Sequence, residues 1–481
     1  MGTRGTGRGS EVSGRELLSP AVNPGASAVD PDITDKRSAH SPGSRPESSP
    51  DMAGPFSSGD TKRQILFGVD VVSGRTHADA VIHDRLFRGS WGMVTNDAAR
   101  CATNPDLLSR KALLDAGVRL TQLFSPEHGI SRYGEDGKAM DDDSDPATRL
   151  PICSLYGKIM RPPAELLDRL TGIVFDIPDV GTRFYTYIWT LSHVMEACSE
   201  AGLPLVVLDR VNPLGGDLAA SEGPVLDTAS CGSFLGRAPI PVRHSLTAGE
   251  FARWLDSHWN LELDLTVIPV EGWHRKWHWP DTGLPFVPTS PAMPSYGSAL
   301  CYPGTCFFEA TNVSSGRGTD APFQQFGAPW MQQPGQWLGA VEGIDFRDKG
   351  LPGSHQVFAS RALPGVRFHE TVFIPQERPW KGESCHGIRL EVTDHKTFRP
   401  VRTGLALLAA VRKHHTESFR WDTYPTAANP TGEGHFERLI GVPDIRPLID
   451  EEPVKLLRTL PDLLTVNAWQ NEVIPFLCYP N

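Results

Sequence analysis

Gly172-Ile-Val-Phe-Asp-Ile-Pro-Asp-Val-Gly-Thr-Arg-Phe-Tyr-Thr-Tyr187 decides the fold class. It opens on an unbroken apolar run, Gly172 to Ile177, as in a strand buried on both faces. Pro178 ends the run, Gly181 lets the chain turn, and Tyr187 to Ala201 reads as a helix. The strand therefore finishes in Asp176, Asp179 and Arg183, residue types that can do chemistry.

The same grammar repeats outward from this stretch. Trp91-Gly-Met-Val-Thr-Asn96 reads as a short buried strand with a polar end. Val118 to Phe124 reads as another, finishing in Ser125-Pro-Glu-His-Gly129. Leu205-Val-Val-Leu-Asp209 runs into Arg210-Val-Asn-Pro213. Helical stretches, Pro105 to Ala116 and Pro163 to Leu170, lie between. Strands alternating with helices predict an α/β fold with a Rossmann-like parallel sheet covered on both faces. In such sheets the ligand sits beyond the carboxyl ends of the strands, and all four strands end there in polar residues.

Three regions follow from the texture of the chain. Residues 1–62, rich in Gly, Ser and Pro without apolar periodicity, read as a disordered tail. Residues 63–296 form the Rossmann-like catalytic domain, with order beginning near Arg63-Gln-Ile-Leu-Phe-Gly-Val69. A helix from Thr247 to Leu255 carries its own cap in Thr247 and Glu250. The Pro-rich run from Pro285 to Pro303 reads as the crossing to a smaller C-terminal α/β domain, 297–481, which closes the cleft. That domain includes a strand over Gly387–Val392 and a helix over Thr403–Arg412.

Composition excludes several functions. The 481 residues carry a net charge of −11, which disfavours a nucleic-acid partner or an anionic membrane surface. No apolar run reaches the roughly 18 residues of a membrane-spanning helix, so no membrane insertion is expected. No apolar signal core follows Met1, which favours a cytoplasmic protein; an extracytoplasmic one fits only if the N-terminus is misassigned. The eight cysteines form no CxxC pair, and Cys301 and Cys306 read as packed thiols. The histidines are scattered with no HExxH, so no metal is expected. No glycine fingerprint follows the first strand, and Gly68 to Thr76 matches a P-loop only loosely, with Arg75 where lysine belongs. Both facts argue against a dinucleotide enzyme.

The candidate chemistry gathers at the strand ends. Glu127, beside His128 and before a glycine, sits where a general acid is presented. Asp179 and Asp176 supply further carboxylates, and Arg183 suits a substrate carboxylate. Tyr185 offers a stacking face or a hydroxyl. Asn96, Arg210, Asn212, Glu222, His244, Arg317 and Thr319 add polar groups from several loops. The set suits a polyhydroxylated, anionic small ligand. The run Trp273-His-Arg-Lys-Trp-His-Trp279 reads as core material or as a carbohydrate platform, and His414-His415 as solvated surface.

At these residues the chain resembles the NamZ/YbbC exo-β-N-acetylmuramidases. The resemblance is carried by Phe67-Gly-Val-Asp70, Val94-Thr-Asn96, Leu123 to Gly129, Val174 to Tyr187, Val207 to Gly216, Glu222-Gly-Pro224 and Arg243-His244. It continues through Ser290-Pro291, Tyr302 to Thr305, Thr311 to Ser314, Gly316 to Thr319 and Pro322-Phe323. It implies a Rossmann-like domain, a smaller C-terminal domain, and release of N-acetylmuramic acid from non-reducing ends of peptidoglycan fragments. It implies no metal and no organic cofactor, and carries the family's catalytic glutamate over to Glu127. His128 would orient that acid. Asp179, Asp176, Glu222 or the sugar's own acetamido group would stabilise the oxocarbenium-like centre. Arg183, Arg210 or Arg317 would meet the lactyl carboxylate. The chain departs from the family at Pro178, Val211, Ser245 and Ala292, where the family commonly has Gln, Pro, Gly and Asn. The Ala292 change keeps open a rival reading, a non-catalytic muropeptide or sugar-acid binder. A Rossmann-type enzyme acting on a nucleotide sugar is the third. The oligomeric state is left open.

Overall fold

The computed structural model describes residues 64–480 apart from 75–84, 136, 139–142, 339–345, 349–356, 361 and 452. The expected tail, 1–62, lies outside the described residues.

The unbroken apolar runs build a parallel sheet. Its strands are β1 (Trp91–Thr95), β2 (Leu120–Ser125), β3 (Asp143–Ser144), β4 (Pro151–Ser154), β5 (Gly172–Asp176) and β6 (Leu205–Leu208). A separate antiparallel ribbon, β7 (Glu222–Val225) with β8 (Pro241–Arg243), precedes the seventh strand, β9 (Leu265–Ile268). The order across the sheet is β3-β4-β2-β1-β5-β6-β9, antiparallel only between β3 and β4. Every residue of β1, β5 and β6 is buried. Alternate side chains enter two cores: Val94, Phe124, Phe175 and Val207 on one face, Met93, Leu123, Val174 and Val206 on the other. The chain starts at β1, runs out through β2 to β4, and returns to β5 on the other flank of β1. The direction of winding thus reverses between β1 and β5, which is where an open α/β sheet holds its ligand.

Local signals set the helices. The helix Tyr187–Ala201 stops at Gly202, whose φ of 62° returns the chain toward β6. Ala248–Trp259 opens on a reciprocal capping box between Thr247 and Glu250, as the sequence predicts. Gly68–Gly74, just after the start of order, is a helix. One expectation changes. The Pro-rich run is no simple crossing, because Tyr296–Thr305 is a helix with Pro303 inside it. Burial of every residue from Ser298 to Thr305 overrides the weak local propensity.

The second half is built on an antiparallel sheet, ordered β10 (Gln325–Ala328), β14 (Cys385–Val392), β13 (Leu363–Phe373), β12 (Val357–Ser360), β11 (Phe346–Asp348). The helix Pro400–His414 crosses Tyr296–Thr305 at backbone contact. A Cβ on Gly404 would lie 2.2 Å from the Gly304 carbonyl oxygen, so both positions require glycine. His414 and His415 are half-buried rather than solvated, and His415 lies 5.1 Å from the Trp330 ring. Cys301 and Cys306 are buried free thiols, and the other six cysteines are free as well.

The halves are stitched together. Glu222 of β7 accepts the Val401 and Arg402 backbone N–H groups, at 3.0 and 2.6 Å, and so caps the helix Pro400–His414. The last helix, Asn467–Val473, sets Trp469 edge-on against Trp254, and Trp469 Nε1 donates to the His244 carbonyl. Tyr479 donates its hydroxyl to Asp209 at 2.6 Å and accepts from the Val270 N–H.

Candidate functional site

Glu127 follows β2 in a tight turn. His128 and Gly129 both adopt left-handed backbone, with φ of 68° and 70°. The turn directs Glu127 into a cavity at the strand ends. Glu127 is 6% exposed and gripped from two sides. The Gly137 N–H donates to one carboxyl oxygen at 3.0 Å, and the Thr186 hydroxyl donates to the other at 2.8 Å. Thr186 lies in the loop after β5, so loops from both flanks of β1 hold one carboxyl. His128 Nδ1 lies 2.9 Å from the Gly134 carbonyl. A carbonyl can only accept, so Nδ1 carries the hydrogen there, which sets the tautomer of the neutral ring.

A second carboxylate reaches the same cavity from the other half. Glu309 sits in the 3₁₀ turn Cys306–Ala310 that prolongs the helix Tyr296–Thr305. It accepts from Arg317 Nε and from the Cys306 thiol at 3.3 Å. Burial and the neighbouring Glu309 charge push that thiol well above its ordinary pKa, so it stays protonated as a donor. Arg317 also lies over the Phe323 ring at 5.1 Å. Tyr302 packs edge-on between Phe184 and Phe323, and Tyr424 stacks on His435 with rings 4.7 Å apart. Aromatic faces with a few polar groups suit a pyranose ring.

The cavity gathers Glu127, His128, Tyr185 and Arg317 of the residues expected from sequence. Tyr185 spends its hydroxyl on Thr289 at 2.7 Å. The others are not brought together there, each for a physical reason. Arg183 is completely buried and donates to the carbonyls of Pro224, Ile240 and Leu439, so it braces backbone instead of meeting ligand. Arg210 forms a two-point pair with Asp176 and donates to the Arg100 carbonyl and to Ser109, tying the ends of β5 and β6. Asn212 holds its own turn through the Leu214 N–H and the Leu246 carbonyl. Asn96 does the same with Ala98 and also reaches the Tyr187 hydroxyl. Thr319 closes a turn on the Gly316 carbonyl. Glu222 is the helix cap described above.

Asp179 faces a separate cavity, lined also by Arg210, Trp279 and Phe286. Burial pushes its carboxyl up to about 7, against the Gly181 N–H that donates to it at 2.6 Å. His244 Nε2 lies 3.8 Å from Asp179, too far for a hydrogen bond. Burial and the Arg183 and Arg243 charges hold His244 down to about 3, so the ring is neutral. Trp273 is core, packed against Tyr479, and neither it nor Trp277 lines the Glu127 cavity.

Sequence reasoning missed Glu309 and Arg438, both of which line the Glu127 cavity. Glu309 lies between two stretches that were singled out, Tyr302–Thr305 and Thr311–Ser314, which was the available signal. Among the described residues no cluster of three or more His, Cys, Asp or Glu side chains could hold a metal ion, and no helix is long and apolar enough to cross a membrane.

Comparison with known proteins adds to this geometry. Residues 91–297 match the family profile described as exo-β-N-acetylmuramidase NamZ, N-terminal, and residues 300–479 match its C-terminal counterpart. The curated peptidoglycan β-N-acetylmuramidase NamZ of Bacillus subtilis (strain 168) is 38% identical over 361 residues, which is 75% of this chain and 79% of that protein. A crystal structure of a DUF1343 family protein from Bacteroides fragilis superposes with a TM-score of 0.70 at 26% identity, covering 87% of this chain and 99% of that one. A second such protein from the same organism gives a TM-score of 0.62 at 24% identity over 87% and 100% of the two chains, a likeness of fold alone.

Proposed function

The chain belongs to the NamZ family of exo-β-N-acetylmuramidases, and from that premise we propose that it is an exo-acting glycoside hydrolase releasing N-acetylmuramic acid from non-reducing ends of peptidoglycan fragments. The observation that carries this reading is two carboxyl groups, Glu127 and Glu309, each held by fixed partners in one aromatic-walled cavity. Glycoside hydrolysis needs a proton for the leaving oxygen and negative charge or a nucleophile near the anomeric carbon.

In this proposal Glu127 protonates the glycosidic oxygen as the bond to the anomeric carbon breaks. Thr186 and Gly137 hold its carboxyl in place, and His128 orients the turn that carries it. Glu309, fixed by Arg317, faces the developing positive charge. It replaces Asp179, Asp176 and Glu222, whose geometry ties them elsewhere. The 2-acetamido group of the sugar is the competing internal nucleophile. We also propose the division into 63–296 and 297–481, which the seam between the two matched segments supports. A cytoplasmic place of action is our proposal too, and cell fractionation with an antibody tests it.

The test is turnover of a chromogenic β-glycoside of N-acetylmuramic acid. Glu127→Gln should lower kcat by roughly 10²–10⁴-fold, the usual contribution of a positioned acid, with an unchanged melting temperature. If the wild type binds the sugar without cleaving it, a binding protein replaces the hydrolase. NMR of the first-formed anomer gives the stereochemistry. Retention with an active Glu309→Gln variant would assign the nucleophile to the acetamido group.

A further inference from the structure

Muramic acid differs from glucosamine by a lactyl ether that ends in a carboxylate, so a site that tells the two apart needs a cation placed for it. Four arginines enter consideration, and three are committed. Arg183 spends its donors on three backbone carbonyls, Arg210 on Asp176 in the other cavity, and Arg317 on Glu309. Arg438 is different. It lines the Glu127 cavity, is half-buried, and among the described residues its guanidinium has no carboxylate partner.

Its support is rigid. Arg438 stands on the short helix His435–Ile440, whose end is fastened to the first half of the chain. Arg183 holds the Leu439 carbonyl, and the Asp227 N–H donates to the Gly441 carbonyl at 2.8 Å. Gly441, with φ of 90°, leaves room for the Arg183 guanidinium, which a Cβ there would meet at 2.7 Å. Arg183 is itself a fully buried cation with no carboxylate partner among the described residues. Burial accordingly holds it down to about 9. Only Arg438 of the two lines the cavity, and with no carboxylate partner among the described residues its charge stays available there, where low dielectric strengthens its attraction for an anion.

We infer that Arg438 binds the lactyl carboxylate and so sets the preference for muramic acid over plain 2-acetamido sugars, an inference that rests on the hydrolase reading above. A guanidinium can take both carboxylate oxygens at once, which a lysine cannot. Arg183 acts one step removed, as the positioning residue that holds the helix.

The experiment compares wild type, Arg438→Ala, Arg438→Gln and Arg438→Lys by titration calorimetry with N-acetylmuramic acid, its methyl ester and N-acetylglucosamine. Chromogenic glycosides of both sugars are assayed beside it. The wild type should bind the acid more tightly than the ester. Ala and Gln should lose about 10- to 100-fold on the acid, the range for a hydrogen bond to a charged group, and almost nothing on the ester. Lys should keep part of the preference. Gln also covers the case in which Ala fails to fold. Retention of the acid-over-ester preference in a folded Ala or Gln variant overturns the inference while leaving the hydrolase reading intact. An Arg438-dependent preference without turnover keeps the inference and overturns the hydrolase reading. Binding of none of the three ligands by the wild type overturns both.

Discussion

Asp179 carries a clear pH signature. Burial raises its carboxyl to about 7, well above the unfolded value near 4. The folded state therefore holds a proton that the unfolded state releases. Its stabilising contribution is complete below about pH 4 and is lost as pH rises through 7. Asp179→Asn keeps an acceptor for the Gly181 N–H and removes the titration. Its melting temperature should rise relative to wild type between pH 5 and 8, by an amount on the order of 2–4 kcal/mol in stability. A constant difference across that range would refute the assignment. His244 acts in the opposite window: held down to about 3, it favours the fold above its ordinary value near 6.5 and costs stability as pH falls below it. Sequence made Glu127 and His128 legible because a strand end displays its next residues at the crevice. It did not make Arg438 legible, since whether an arginine is free depends on carbonyls and carboxylates hundreds of positions away. The same blindness put Arg183 and Arg210 in the site: both are buried and positive, but Arg183 donates to backbone carbonyls and Arg210 to Asp176.

At the scale of elements, the interior strands were legible because parallel strands buried on both faces must be continuously apolar. The expected Gly172–Ile177 and the observed β5 differ by one residue. The helix Tyr296–Thr305 was not legible, because its proline-rich composition contradicts a structure that packing enforces. Glu222 gives the sharpest test here. It caps a helix whose first turn lies 179 residues later in the chain. Glu222→Ala should cost about 1–3 kcal/mol, the price of leaving buried N–H groups unmet, read from denaturant titration. Glu222→Gln should fall between, having one acceptor for two donors. The KM for a muramic-acid glycoside should not move in either variant; a large shift would return Glu222 to the ligand site. Gly404→Ala, which forces a Cβ against the Gly304 backbone, should lower the melting temperature more than Glu222→Gln does.

At the scale of the whole molecule, one hydrophobic core includes Val94 and Phe175 of the parallel sheet together with Phe326, Leu407 and Trp469 of the second half. Two sheets that share a core should melt together. Calorimetry should give a single transition, and 63–296 expressed alone should lack the cooperative melt of the whole chain. Two resolved transitions would argue for independent domains. The cleft follows from this arrangement, since Glu127 comes from one half and Glu309 and Arg438 from the other.

The bond between Asp209 and Tyr479 also has a meaning in time. The residues lie 270 positions apart, and the carboxyl that ends β6 is buried against that hydroxyl. At a synthesis rate of roughly 5–20 residues per second, the sheet would wait about 15–50 seconds on the ribosome for its last hydrogen-bond donor. The parallel sheet is thus made first but finished last. A nascent chain that has not yet reached Tyr479 lacks the donor that this buried carboxyl uses in the folded protein.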